Sequence, residues 1–208
     1  GVGLGIWVGA GVIADLRSRI KLFETGLAAS WRRAVNLPLG IWGMLVSHLG
    51  LAVLIVAITG VSVWKQETRA FLEPGQTISL GGHTIQLVDV VRQDDDNYNA
   101  AVGRFDVTRA GGSEHEVTAS RRFYPVRGMY TTESGIDANL AGDVYVTIGD
   151  PVEGRGWPVH VYLYPLAVWL WIGSVILSLG GLLAILDQGR RSLSARKQRK
   201  FRECVCVC

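Results

Sequence analysis

The chain has 208 residues, 49% of them apolar and 19% charged, with a formal net charge of +3 and a mean hydropathy of +0.26. That apolar share is high for a soluble protein. The apolar residues gather into three uncharged runs, Gly1–Ala14, Leu39–Trp64 and Gly156–Leu186. No glycine-rich phosphate loop, serine-nucleophile context or zinc-ligand spacing is present, so hydrolytic and nucleotide-driven chemistry have no footing.

The first run, GVGLGIWVGAGVIA, is shorter than the roughly 20 residues that cross a hydrocarbon core and lacks the basic start and cleavage site of a signal peptide. It is read as a partial transmembrane helix over 1–14, the end of a span cut through upstream, and the chain as N-terminally truncated. Residues 15–37 form a loop with five basic residues (Arg17, Arg19, Lys21, Arg32, Arg33) against two acidic ones. A complete span is expected over 38–64, entered at Pro38 and edged by Trp42 and Trp64, where indoles favour the headgroup region.

Residues 65–160 carry nine basic and fourteen acidic side chains and no cysteine. Strands are expected at Thr77–Leu80, His83–Val90, Val102–Thr108, His115–Ser120, Asp143–Ile148 and Val159–Tyr164, from β-branched enrichment, partial alternation and Gly/Pro punctuation. FDVTRAGGSEHEVTA is expected to be a hairpin turning at Ala110–Ser113, and Thr131–Leu140 holds the one hint of helical period. A second complete span is expected over 161–186, with Pro165 near its start and Trp169 and Trp171 in its outer turns. The tail, 187–208, has seven basic and two acidic residues and ends in CVCVC. The alternating Cys204, Cys206 and Cys208 carry little weight as a soft-metal site.

Basic residues beside span ends stay on the cytoplasmic side. The loop and the tail therefore lie inside and 65–160 outside, as two spans between loop and tail require. The tail's position directly after a span makes orientation or anionic lipid a better explanation of its charge than nucleic acid. The expected fold is an integral membrane α-helical protein with an inserted external all-β domain, a small antiparallel sandwich or barrel.

His48 is the candidate that chemistry singles out. It lies nine residues past Leu39, about 14 Å into a core about 30 Å thick, where an ionisable group needs a partner or a function. Gly43, Ser47 and Gly50 form a small-residue stripe suited to close helix contact, and His48 points away from it, beside Ala52. The residues alone leave three readings open: a ring bonded to a serine or carbonyl of a neighbouring helix, a proton relay, or a ligand of haem iron.

The stretches WGMLVSHLGLAV, LEPGQTISLGGHTIQLVDV, DNYNAAVGRFDVTRAGG, RRFYPVRGMYTTESGID, DVYVTIGD and VYLYPLAVWLWIGSVILSLGGLLAILD, in that order, resemble the C-terminal portion of CcmF, the haem-lyase subunit of bacterial cytochrome c maturation. The resemblance runs from about Leu39 to Asp187. It implies an inner-membrane, multi-pass protein that receives haem from the chaperone CcmE and joins it to apocytochrome c, with CcmH and CcmI-type partners. It also implies a transmembrane b-type haem held between two span histidines, with His48 in the place of the second. The family's tryptophan-rich external segment and its other histidines have no counterpart here and would lie upstream of residue 1, so this chain alone is expected to be inactive. Asp95-Asp96-Asn97-Tyr98 stands where the family commonly has Gly-Pro-Asn-Tyr, and Ala119-Ser120-Arg121-Arg122 where it has Pro-Glu-Lys-Arg.

Arg121 and Arg122 are secondary candidates for a haem-propionate or partner contact, since guanidinium grips carboxylate in a bidentate way; ordinary sheet-surface charge is the plainer account. His83 and His115 are expected to be solvated, and His160 to be an interfacial histidine with no special role. Asp94-Asp95-Asp96 lacks the pattern of a calcium loop. The rival to haem handling is a membrane-anchored periplasmic binding or scaffold module without haem.

Overall fold

A computed structural model describes the chain except residues 23, 25, 110 and 206–208, and for 191–205 the backbone alone. The chain divides into two compact units, 1–59 with 169–208, and 60–168.

The first unit is helical. Helix α1 spans Val2–Ile20, α2 spans Leu27–Val35, α3 spans Leu39–Val63, and α4 begins at Ala167 and runs to Val205. Among the described residues, Leu39–Val63 and Ala167–Arg190 are long and apolar enough to cross a membrane. Only 28% and 11% of their apolar windows are buried. A core helix of a water-soluble domain would be covered by its own chain, and these are not. The second candidate span starts at Ala167, not at 161: residues 161–165 are strand, and the chain turns at Leu166, whose φ is 62°. The uncharged run from Gly156 hid the change because an interior-facing strand edged by tyrosines and a helix are equally free of charge. Pro165 accordingly closes a strand, paired with Gly142, and does not open the helix. Likewise α1 continues past Ala14 to Ile20, and the loop that follows contains α2.

Helices α3 and α4 approach closely along Gly40, Gly43, Ser47, Gly50 and Leu54 on one side and Gly173, Leu177, Gly180, Ala184 and Asp187 on the other. A Cβ on Gly43 would sit 2.6 Å from the Ala184 nitrogen, and one on Gly50 would sit 2.9 Å from the Gly173 carbonyl oxygen. Steps of three and four residues on both helices make this a small-residue seam. Ser47 Oγ donates to the Leu177 carbonyl across it at 3.4 Å.

The second unit is a β-sandwich. Its strands are β1 (Gln66–Leu72), β2 (Thr77–Leu80), β3 (His83–Asp94), β4 (Asn99–Thr108), β5 (Glu114–Tyr124), β6 (Met129–Glu133), β7 (Gly135–Asp137), β8 (Gly142–Ile148) and β9 (Trp157–Pro165). They form a four-stranded sheet in the order β1-β9-β8-β7 and a five-stranded sheet in the order β2-β3-β4-β5-β6, every pairing antiparallel. The core lies between them: Ile85, Leu87, Phe105 and Val107 from one sheet meet Val144, Val146, Ile148, Val159 and Val161 from the other, all at most 1% exposed. In β9 the alternation is complete, with Val159, Val161 and Leu163 inward and His160, Tyr162 and Tyr164 outward, the signature of a sheet with one solvated face.

The architecture is thus a sandwich, not a barrel. Strands β1, β6 and β7 were not expected, and the helical hint at Thr131–Leu140 is overturned by the last two of them. Each is short or polar, and its pairing partner, not its own pattern, makes it a strand. The β4–β5 hairpin is present: Thr108 pairs with Glu114, and Arg109 N–H donates to the Ser113 carbonyl at 2.9 Å. Ala110, the expected first turn residue, lies outside the described residues, as do Cys206 and Cys208.

Candidate functional site

Helix α1 crosses α3 on the face opposite the α4 seam. A Cβ on Gly5 would meet Val56 Cγ2 at 2.6 Å and the Ala52 carbonyl at 3.1 Å, and one on Gly9 would stand 3.8 Å from Ala52 Cβ. The contact loosens from Gly5 to Gly9. Beyond it opens a cavity of about 640 Å³, lined by Trp7, Val8, Gly11 and Val12 of α1 and by Met44, Leu45 and His48 of α3, among others. Among the described residues, His48 and Asp15 are its only ionisable lining groups, and Asp15 pairs with Arg19 at 2.8 Å.

The His48 ring is fixed by its own helix. Nδ1 lies 2.8 Å from the Met44 carbonyl, one turn back. A carbonyl only accepts, so Nδ1 carries the proton and donates it, and the neutral ring keeps its lone pair on Nε2. Histidine ligands to metals commonly have this arrangement, one N–H held by a carbonyl and the other nitrogen free to coordinate. Nε2 has no hydrogen-bond partner among the described residues. An apolar cavity whose lining includes an imidazole with an unpartnered Nε2 fits a flat, hydrophobic iron macrocycle bound at that nitrogen. Ala52, next to His48 on the helix surface, does not line the cavity: it is 6% exposed, against Gly5 and Gly9, and its small side chain admits α1. The glycine spacing at positions 1, 5 and 9, from the residue before α1 into its second turn and beyond, was the signal for this second helix contact, since a Cβ on Gly1 would meet Thr59 of α3.

Arg121 and Arg122 sit side by side on β5, on opposite faces of the sheet. Arg121 donates to Asp150 at 3.2 Å and to Thr132 Oγ1 at 2.8 Å, with its guanidinium 4.8 Å from the Tyr130 ring centre. Arg122 pairs with Glu133 at 2.5 Å and lies 4.5 Å from the centre of the Tyr98 ring. Both guanidiniums thus hold carboxylates of their own domain. Arg121 also ties its sheet to the loop after β8.

Three polar arrangements in the sandwich were not anticipated. Asp137, 4% exposed, receives both the Nε (2.9 Å) and an Nη of Arg109, and Nδ1 of His115 lies 3.1 Å from its Oδ1. His115 is therefore not simply solvated; it helps to fasten the β4–β5 hairpin to β7 of the other sheet. Asp143, 6% exposed, accepts from the Asn139 N–H at 3.2 Å, and burial pushes its carboxyl above the usual range. On the outer face of β9, Arg69 Nε donates to His160 Nε2 at 2.9 Å. The neutral ring's proton then sits on Nδ1 and points to the Tyr162 hydroxyl at 2.7 Å. Burial first, and the Arg69 charge second, push the His160 imidazole below its ordinary value. Sequence alone offers no sign of the Arg109–Asp137, His115–Asp137 and Arg69–His160 partners, which are 22 to 91 residues apart. Among the described residues no group of three or more His, Cys, Asp or Glu side chains could hold a metal ion.

Residues 63–165 match the family model described as the CcmF C-terminal beta-sandwich. The cytochrome c-type biogenesis protein CcmF of Pseudomonas aeruginosa is 33% identical over 189 residues, which is 90% of this chain and 28% of that protein. CycK of Rhizobium meliloti is 30% identical over 200 residues, 96% of this chain and 30% of its own length. The chain thus spans about 30% of the length of the curated relatives it matches. A solved structure described as cytochrome c heme lyase CcmF superposes with a TM-score of 0.62 over 88% of this chain and 29% of that one, at 22% identity, and shares the fold. The chain belongs to the CcmF family of cytochrome c-type biogenesis proteins and carries that family's C-terminal β-sandwich.

Proposed function

We propose that this chain is the haem-anchoring part of a membrane-embedded haem lyase that acts in cytochrome c maturation. Helices α3 and α4 cross the bacterial inner membrane, the sandwich faces the periplasm, and the loop and tail face the cytoplasm. His48 Nε2 ligates a b-type haem in the cavity between α1 and α3. A bound haem b supplies a one-electron redox centre inside the membrane. The chain's own contribution is to hold the imidazole in one tautomer through Met44, to exclude water with an apolar wall, and to keep α3 in place against α4. The single observation that carries this reading is the unpartnered Nε2 at the wall of an apolar cavity. Haem transfer from a CcmE-type chaperone and covalent attachment to apocytochrome c, with CcmH and CcmI-type partners, belong in this reading to a longer protein, since this chain spans about 30% of the length of the relatives it matches. Arg121 and Arg122 each hold a carboxylate of the sandwich, so a propionate or partner contact at either one requires exchange of that carboxylate.

The test is spectroscopic. Intact protein purified gently from membranes is expected to give a b-type pyridine-haemochrome spectrum, and His48→Ala to lose that haem or convert it to a form with a single protein ligand. An unchanged bis-histidine spectrum in the variant overturns the ligand assignment. Haem-free intact protein leaves the anchored scaffold as the better reading.

A further inference from the structure

Helix α2, Leu27–Val35, presents to the outside what a helix in water avoids. Leu27, Trp31 and Val35 are 78%, 73% and 65% exposed. On a helix turning about 100° per residue they fall within about 80° of one another. The neighbouring arc is held by the protein: Ser30 is 2% exposed with Oγ 3.4 Å from the Lys21 carbonyl, and Trp42 Nε1 of α3 donates to the Ala34 carbonyl at 3.1 Å. Ala29 and Arg33 occupy the arc opposite the apolar stripe.

We propose that α2 lies flat in the headgroup region of the membrane, with the Leu27–Trp31–Val35 stripe among the acyl chains and its basic residues on the anionic headgroups. The observations select lipid over a partner protein. Three residues separate Val35 from Leu39, a reach of about 10 Å, so α2 stays at the end of a helix long and apolar enough to span. Around it stand Arg17, Arg19, Lys21, Arg32 and Arg33 against Asp15 and Glu24, the charge that suits an anionic leaflet. An apolar stripe that contains tryptophan, with basic residues opposite, is the pattern of a helix that lies on a membrane. This placement also explains the burial of Ser30 and the half-burial of Ala34: one side of α2 meets protein, one meets lipid and one meets water.

The inference rests on the reading that α3 spans the membrane, and the experiment separates the two. Nitroxides are attached to Leu27→Cys, Trp31→Cys, Val35→Cys, Ala29→Cys and Arg33→Cys, one at a time, in the full chain with its native cysteines changed to serine. A sixth label, Leu51→Cys, reports the middle of α3. The chain is reconstituted in vesicles of phosphatidylethanolamine and phosphatidylglycerol, and accessibility to oxygen and to a polar nickel chelate is measured. Expected is an oxygen-to-nickel ratio several-fold higher at 27, 31 and 35 than at 29 and 33, with 51 higher still. Equal ratios at all five α2 sites, or stripe sites shielded from both reagents as under a partner protein or a second copy, overturn the proposal while 51 remains deep. A nickel-accessible site 51 overturns the membrane reading itself. Because all five α2 positions are exposed, none of these replacements removes a packed side chain; a label that does prevent folding leaves the other stripe sites to decide.

Discussion

An imidazole has two nitrogens, and what each one touches decides what the residue can do. In His48, a residue that lines an apolar cavity, one is held by the Met44 carbonyl and the other has no partner among the described residues; in His160 both are taken, by Arg69 and Tyr162. His160 therefore has a structural role with a pH dependence. Its folded-state pKa is depressed, so the unfolded chain binds more protons below its ordinary value near 6.5. Thermal stability of the sandwich is expected to fall as pH drops below that point, and the drop to be smaller in His160→Gln, measured by melting the full chain in detergent between pH 8 and 5. Asp137 predicts a larger effect. Its removal strands Arg109 in a partly buried site, and breaking such a pair costs about 3–5 kcal/mol. The Asp137→Ala melting curve checks this, and a shift no larger than that of an exposed-charge control such as Asp96→Ala contradicts it.

At the scale of elements, the α3–α4 seam depends on missing side chains. At Gly50 a Cβ would enter the backbone of α4, and no rotamer relieves a backbone clash. Gly50→Leu is expected to force the helices apart at a cost of about 1–3 kcal/mol, and to make a thiol at Ser47→Cys react faster with a soluble maleimide. Gly181→Leu, where a Cβ meets nothing, is the control and should leave the rate unchanged. In the sandwich, Phe105 is fully buried between the sheets, and Phe105→Ala should lower stability by about 3–5 kcal/mol, read from the same melting curves.

For the whole molecule the testable statement is topological. The sandwich lies between two helices long enough to cross a membrane, with basic segments beyond both. Cysteine at Ser79 is expected to be labelled by an impermeant reagent from the periplasmic side, and cysteine at Ser192 only after the membrane is opened; the opposite pattern would invert the orientation. The apolar runs, the charge segregation, the small-residue stripe of α3, the solitary His48 and most strands were legible in the sequence, because each is a property of neighbours along the chain: composition, period and spacing set them before any folding. What the tertiary structure decided is what depends on partners far apart. It split one uncharged run into β9 and α4 and made strands of β1, β6 and β7 by supplying their pairing partners. It engaged Arg121, Arg122, His115 and His160 with side chains that no periodicity announces. It also turned Gly5 and Gly9 of α1, with Gly1 just before them, into the contact beside which His48 lines a cavity. Hydropathy is additive along a sequence, whereas tertiary hydrogen bonds and cavities are defined only when distant segments meet.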